Sequence, residues 1–297
     1  MKIGFALPVS GSWNNADAVR HVVARAEELG YHSLWTFQRL LSDVEATWGP
    51  MYRSVLDPLV TLSYAAALTS RIRLGVAVVN MPFFSPALLA KQVSSLDVLA
   101  GGRLDLGLGL GWADEEYLAS GVSKDRRGKR AEDFIAALRA LLEQDIVEHA
   151  GPFYTVPRSR MEPKRSERPP ILLGGTAPEA LRRAGRLTDG WISSSRIDPT
   201  TLGEHVAIVK DAAERSGRDP EALRFICRGV VKVRATGDRG PLMGTLEQIR
   251  DDLAMLAGQG ITETFIDLNF DPEICAADVD PHESLRRADE VLTALAP

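Results

Sequence analysis

The chain has 297 residues, 45% of them hydrophobic and 25% charged, which is ordinary for a globular protein and fits either two domains or one large α/β barrel. Thirty-five Lys and Arg against forty Asp and Glu leave a formal net charge of −5, which argues against a general nucleic-acid binder. No apolar run reaches the ~18 residues of a membrane span, the N-terminal apolar stretch is too short for a signal peptide, and Cys227 and Cys275 form neither a disulfide framework nor a zinc site, so a soluble protein of the reducing cytoplasm is expected.

Strand-like and helix-period segments alternate along the sequence. Lys2–Val9 is followed by a helix over Asp17–Leu29, Ser33–Phe37 by Asp57–Leu68, Ile72–Val79 by Ser85–Ala100, and Leu104–Leu110 by Lys129–Glu143. Ile171–Leu173 then precedes Pro178–Thr188, Gly190–Ser194 precedes Thr201–Arg215, Phe225–Val233 precedes Thr245–Gly258, and Thr264–Leu268 precedes His282–Ala296. Punctuation agrees: Leu29-Gly30, Ser216-Gly217 and Gly258-Gln259-Gly260 resemble helix ends, and Thr245 with Gln248 forms a capping-box pattern. Crossover helices make successive strands parallel, and parallel strands covered on both faces have near-continuous apolar runs. Eight such units predict a (β/α)8 TIM barrel over residues 1–297, with a doubly wound open sheet as the rival.

The segment Gln144–Pro170, between the fourth helix and the fifth strand, is too long for a simple connection. It carries Gly151-Pro-Phe-Tyr and the cations Arg158, Arg160, Lys164, Arg165 and Arg168. Either it is a solvated loop with a short hairpin, or a basic flap beside a pocket for an anion.

In such a barrel, chemistry belongs at the C-terminal strand ends. The second strand ends in Thr36-Phe37-Gln38-Arg39, the third in Val79-Asn80-Met81-Pro82, and the fourth in Gly109-Leu110-Gly111-Trp112. The fifth ends in Gly174-Gly175-Thr176, the sixth in Ser193-Ser194-Ser195 and the eighth in Asp267-Leu268-Asn269. Two glycines before a helix N-terminus, beside three serines, suit a phosphate; the bland reading is a tight turn capped by Thr176. Gly107-Leu-Gly-Leu-Gly111 lacks the GxGxxG spacing, so its alternate glycines mark close packing of another backbone or of a flat ring. No histidine among His21, His32, His149, His205 and His282 falls at a strand C-terminus, no metal-ligand spacing occurs, and no GxSxG elbow is present. A pocket of Trp, Phe, Leu and Gly without a clear titrating group suits a protein whose chemistry resides in a cofactor.

Five segments in order carry a family resemblance: Gly30-Tyr-His-Ser-Leu-Trp-Thr-Phe-Gln-Arg-Leu, Ile72-Arg-Leu-Gly-Val-Ala-Val-Val-Asn, Ala90 to Gly109, Pro170-Ile-Leu-Leu-Gly-Gly-Thr with Asp189-Gly-Trp-Ile, and Gly244-Thr-Leu-Glu-Gln-Ile. The chain resembles the luciferase-like monooxygenase superfamily, especially the branch that uses the deazaflavin coenzyme F420. The resemblance implies a flat ring resting on the end of the third strand, with a non-proline cis peptide at Ala77–Val78. It implies phosphate binding by Gly174, Gly175, Thr176 and Ser194, and places Phe37, Gln38, Asn80, Gly111 and Trp112 around the ring. It implies a homodimer packed through barrel helices, for which the apolar segment Pro58–Leu68 is a candidate.

One departure matters. Many F420-dependent relatives have Asp-His after the second strand, where this chain has Gln38-Arg39. Neither side chain shuttles protons at neutral pH. Arg39 either holds an anionic group or developing oxyanion, or pairs with Asp43 or Glu45 at the rim. The stretch Ser195-Arg196-Ile197 lacks the lysine of sugar-phosphate-oxidising relatives, which argues against that substrate. The expectation is an oxidoreductase moving hydride between F420 and a small organic substrate, with Gln38 and Arg39 as the catalytic candidates. An FMN-dependent monooxygenase and a non-catalytic flavin-binding barrel are the alternatives. The basic stretches Lys124–Arg130 and Arg158–Arg168 favour F420, whose polyglutamyl tail is more anionic than FMN's phosphate.

Overall fold

A computed structural model describes residues 1–45, 49–235 and 239–297. The chain begins β1 (Lys2–Ala6), α1 (Ala16–Glu28), β2 (Ser33–Thr36), α2 (Pro58–Leu68), β3 (Arg73–Asn80), α3 (Pro86–Leu99), β4 (Leu104–Gly109), α4 (Asp114–Ala119) and α5 (Arg127–Glu143). A hairpin of β5 (Val147–Ala150) and β6 (Thr155–Ser159) leads to β7 (Ile171–Gly174), α6 (Pro178–Leu187), β8 (Gly190–Ile192), α7 (Leu202–Glu214) and β9 (Arg224–Val230). The last quarter holds β10 (Lys232–Val233), β11 (Met243–Gly244), α8 (Leu246–Ala257), β12 (Glu263–Asp267), α9 (Pro272–Cys275) and α10 (Pro281–Ala294). Strands β1, β2, β3, β4, β7, β8, β9 and β12 close into a parallel barrel in that order, so the open sheet is excluded.

Local chemistry explains the element ends. Asn15, Asp57 and Ser85 accept hydrogen bonds from the first-turn amides of α1, α2 and α3, and Thr245 with Gln248 completes the expected capping box on α8. The first strand stops at Ala6, short of the expected Val9, because Pro8 has no N–H. The amides of Val9 and Ser10 instead donate to Asn269 Oδ1, each at 3.1 Å. The seventh barrel strand splits at Val231, and Lys232–Val233 pairs with β11 rather than extending the barrel.

Inside the barrel, Trp35 stacks on Phe265 with ring centroids 5.0 Å apart. Gly75 makes room for that indole, since a Cβ there would lie 2.4 Å from Trp35 Cε3. Beneath this layer, at the N-terminal strand ends, the fully buried Asp105 accepts from Arg73 (2.9 and 2.6 Å) and Arg224 (2.5 and 3.1 Å). Arg224 also reaches Glu263 at 2.9 Å. The three strands β3, β4 and β9 are thus tied across the barrel floor by one carboxylate.

The long excursion forms the hairpin, and at Arg165 and Arg168 the structure corrects the expected anion-binding surface. Arg168 pairs with Asp189 and Glu143, each at 2.5 Å, and Arg165 lies 3.9 Å from Asp97. Asp97 and Asp189 precede strands β4 and β8 and Glu143 ends α5, at the end of the barrel opposite the C-terminal strand ends. Arg165 and Arg168 therefore neutralise acids of the floor, of which Asp97 is buried. The sequence signature, cations clustered in a polar segment, is the same whether the partners are internal or external.

Burial alone would raise the Asp105 carboxyl, but its hydrogen bonds from Arg73 and Arg224 outweigh this and hold it below the ordinary carboxylate value. A depressed carboxyl contributes stability that is present above the unfolded pKa of about 4 and is lost as pH falls through the folded value. Asp105→Asn should lower the urea-unfolding free energy by about 3–5 kcal/mol at pH 7. The stability lost on acidification below pH ~4 should be smaller in that variant than in the wild type.

Candidate active site

The C-terminal mouth of the barrel opens into a cavity of about 510 Å³. All twelve residues singled out from the sequence line it: Phe37, Gln38 and Arg39 after β2; Ala77, Val78 and Asn80 on β3; Gly111 and Trp112 after β4; Gly174, Gly175 and Thr176 at β7; and Ser194 after β8. Tyr52, Arg127, Arg183 and Arg228 line it as well. Arg127 belongs to the basic stretch Lys124–Arg130 expected to meet an anionic tail; Tyr52, Arg183 and Arg228 escaped the sequence reading because none stands at an expected strand end.

One wall is the end of β3. Its register with β4 shifts between Val76 and Val79, and the Ala77–Val78 peptide bond is cis, as the family resemblance implies. The alternate glycines of β4 face this irregularity. A Cβ on Gly107 would lie 2.1 Å from the Val76 carbonyl oxygen, and one on Gly109 would lie 2.4 Å from Val78 Cγ2. The close approach inferred from the sequence is therefore made by the neighbouring strand.

Two polar heads are anchored on the same stretch of β3. The Asn80 amide donates to Gln38 Oε1 at 2.8 Å, which fixes which end of the Gln38 carboxamide is oxygen. Gln38 is 6% exposed, and its Nε2 has no hydrogen-bond partner among the described residues. Arg228, on β9, donates from Nη1 to the Ala77 carbonyl at 3.3 Å and from Nε to Asp267 at 2.6 Å. Its guanidinium packs on both Phe37 and Phe270, 4.5 and 4.4 Å from their centroids, and those two rings touch each other at 5.5 Å. Asp267, fully buried, also accepts from the Asn269 amide and side chain at 3.0 and 2.9 Å. The expected end of the eighth strand thus serves the cavity by holding Arg228.

Arg39 has its counter-charge on α4, an element absent from the sequence reading. Its Nε lies 3.2 Å from Glu116 Oε1, and Glu116 is fully buried and accepts from the Leu40 amide at 2.7 Å. The guanidinium lies 4.4 Å from the Trp112 ring and 5.0 Å from that of Tyr52. Burial pulls Arg39 below its ordinary pKa, and Glu116 opposes the shift. Arg196 also lies 4.7 Å from the Trp112 ring, so two cations contact the indole at the rim.

The opposite end is built for an anion. Gly175 adopts φ +133°, a conformation side chains rarely take, and a Cβ there would lie 2.8 Å from Ala180 Cβ. Trp191 Nε1 donates to the Gly175 carbonyl at 2.8 Å and fixes the turn. The N-cap of α6 is Ala177, with Pro178 next and no side-chain cap, so Thr176 is not the helix cap. The uncapped first turn, with its positive dipole end, faces the cavity beside Arg127 and Arg183. Arg127 donates to the Gly111 carbonyl at 3.1 Å, and Arg183 to Glu132 at 3.1 Å.

Among the described residues, no histidine or cysteine lines the cavity. Burial pushes the thiols of Cys227 and Cys275 up to about 12, which leaves no thiolate at neutral pH. Glu116→Ala should destabilise the protein by about 3–5 kcal/mol, because Arg39 stays buried without that carboxylate. Thermal and urea unfolding would check this, with Glu116→Gln recovering part of the loss through its amide oxygen.

Residues 1–241 match the family described as luciferase-like monooxygenase. An uncharacterised protein of Mycobacterium tuberculosis is 39% identical over 163 residues, 55% of this chain and 56% of that protein. The chain thus spans just over half the length of the curated relatives it matches. A solved monooxygenase from Streptomyces bottropensis superposes with a TM-score of 0.81 at 21% identity, covering 99% of this chain and 98% of that one. An F420-dependent secondary alcohol dehydrogenase, solved with an F420–acetone adduct, superposes with a TM-score of 0.80 at 17% identity, covering 100% and 99%. At these identities the two structures share the fold. The matched family, the closed barrel and the cavity at its C-terminal mouth agree: the chain belongs to the luciferase-like monooxygenase family.

Proposed function

We propose that residues 1–297 act as one barrel domain, an oxidoreductase working on a small organic substrate with bound coenzyme F420. The residues present fit such a group. The wall at Ala77–Val78 offers a flat apolar face, the Gly174-Gly175 turn with uncapped α6 suits a phosphate, and Phe37, Trp112 and Tyr52 enclose the remaining side. When bound, the deazaflavin would supply the hydride chemistry, which no side chain of the cavity can. The chain's own residues bind and orient: Gly175, Thr176 and Ser194 at the phosphate, Asn80 and Gly111 beside the ring, and Gln38 with Arg39 on the substrate side.

The observation that carries F420 over FMN is the distribution of cations at the anionic end. Lys124, Arg126, Arg127 and Arg130 lie along one segment at the N-terminus of α5, and Arg127 and Arg183 line the cavity itself. FMN ends in a single phosphate, whereas F420 continues outward in a chain of carboxylates that such a segment can follow. Titration of the protein with each cofactor separates them: F420 should bind at least tenfold more tightly, and tight FMN binding without F420 binding would overturn the choice. Arg127→Glu should weaken F420 binding about tenfold and flatten its salt dependence, as expected for a charge-assisted contact with an anion.

We propose further that the protein works in the cytoplasm as a homodimer, packed through the outer face of α2, where Val60 is 70% exposed and Leu68 39% exposed. Light scattering should give twice the mass of one chain, and Val60→Glu should shift it to that of one.

A further inference from the structure

Resting on the oxidoreductase reading above, we propose that the substrate half of this cavity recognises an acceptor-only oxygen, the carbonyl of a ketone, aldehyde or conjugated enone. Gln38 and Arg228 supply the donors. The protein is therefore set up to bind an oxidised, carbonyl-bearing partner in preference to the corresponding alcohol.

The argument starts from the Gln38 carboxamide. Its oxygen is occupied by the Asn80 amide, so the group that remains is an NH₂, which donates and cannot accept. That NH₂ is buried, lines the cavity and has no acceptor among the described residues. A buried donor left without an acceptor is costly, and a ligand carbonyl removes that cost. Arg228 is tied to the same strand, three residues earlier, through the Ala77 carbonyl, and its guanidinium also only donates. Both heads are held by backbone groups of β3 and need little rearrangement to receive a ligand.

The complementary observation is the lack of a base. Among the described residues lining the cavity the one carboxylate is Glu179, on α6 at the anion end, where it accepts from Arg182 at 2.6 Å. Asp267, behind Arg228, is fully buried and already accepts from Arg228 and Asn269. Glu116, fully buried behind Arg39, is outside the cavity lining, so among the described lining residues of this half an alcohol meets donors and no carboxylate or imidazole to take up its proton. A carbonyl oxygen needs only what the cavity provides.

The test uses cyclohex-2-en-1-one and cyclohex-2-en-1-ol, which differ in that one oxygen, with calorimetric titration at pH 8 of the protein alone and loaded with whichever of F420 or FMN it binds. The wild type should bind the enone about tenfold more tightly than the alcohol. Gln38→Glu keeps the acceptor for Asn80 but replaces the donor by an acceptor, and should shift the enone-to-alcohol ratio at least tenfold toward the alcohol. Gln38→Met should bring the ratio near one. Cofactor affinity should change less than threefold in either variant, and unfolding curves will show that both fold. Equal or tighter binding of the alcohol, a ratio unmoved by Gln38→Glu, or a tenfold loss of cofactor affinity would overturn the proposal. Failure of both cofactors to bind would instead overturn the oxidoreductase reading, while the ratio on the protein alone still decides the role of Gln38.

Discussion

The site depends on one local constraint: strand β3 leaves its ladder between Val76 and Val79 while still spanning the barrel wall. A regular strand would commit the Ala77 carbonyl and the Asn80 amide to its neighbours. Here the first receives Arg228 and the second donates to Gln38, so two polar heads from distant parts of the chain meet at one wall. The arrangement requires glycine on the facing strand, because a side chain at Gly107 or Gly109 would collide with β3. Polar anchoring and tight packing are therefore one feature, shared by β2, β3, β4 and β9.

The rest of the barrel keeps that wall in place. Asp105 ties β3, β4 and β9 at the floor, and Trp35 on Phe265 fills the interior above it. Charge is spent differently at the two ends. At the floor, cations and acids neutralise each other in buried groups. At the mouth, Arg39 and Arg228 each have one buried carboxylate behind them and present an aromatic-flanked guanidinium to the cavity. The cations near α6 face a helix N-terminus, where an anion is favoured.

Much of this was legible in the sequence, because barrel topology turns strand ends into site positions. The alternation of apolar runs and helix-period segments yields eight units; their C-terminal ends, narrowed by the family resemblance that alone implies Ala77–Val78, give the twelve residues that line the cavity, whereas Asp267, Leu268 and Asn269 at the eighth strand end do not line it. Further lining residues lie outside that logic, Tyr52, Arg127, Arg183 and Arg228 among them. Tyr52 sits in the long connection after β2, Arg127 and Arg183 on helices, and Arg228 inside a strand whose expected end was three residues too far along. The partner of Arg39 was out of reach for a similar reason: Glu116 lies on a one-and-a-half-turn helix too short to show a periodicity. The cations of the excursion show the limit of composition, since a charge cluster does not reveal whether its partners are internal.

A crystal structure of the protein soaked with F420 tests the central claim most directly, that the β3 wall and the α6 turn form one cofactor site. The tricyclic ring should lie flat against Ala77–Val78, with its phosphate within hydrogen-bond distance of the Gly175 and Thr176 amides and its carboxylate tail running past Arg127. A ring bound elsewhere, or a phosphate held by the floor cations around Arg168, would contradict it.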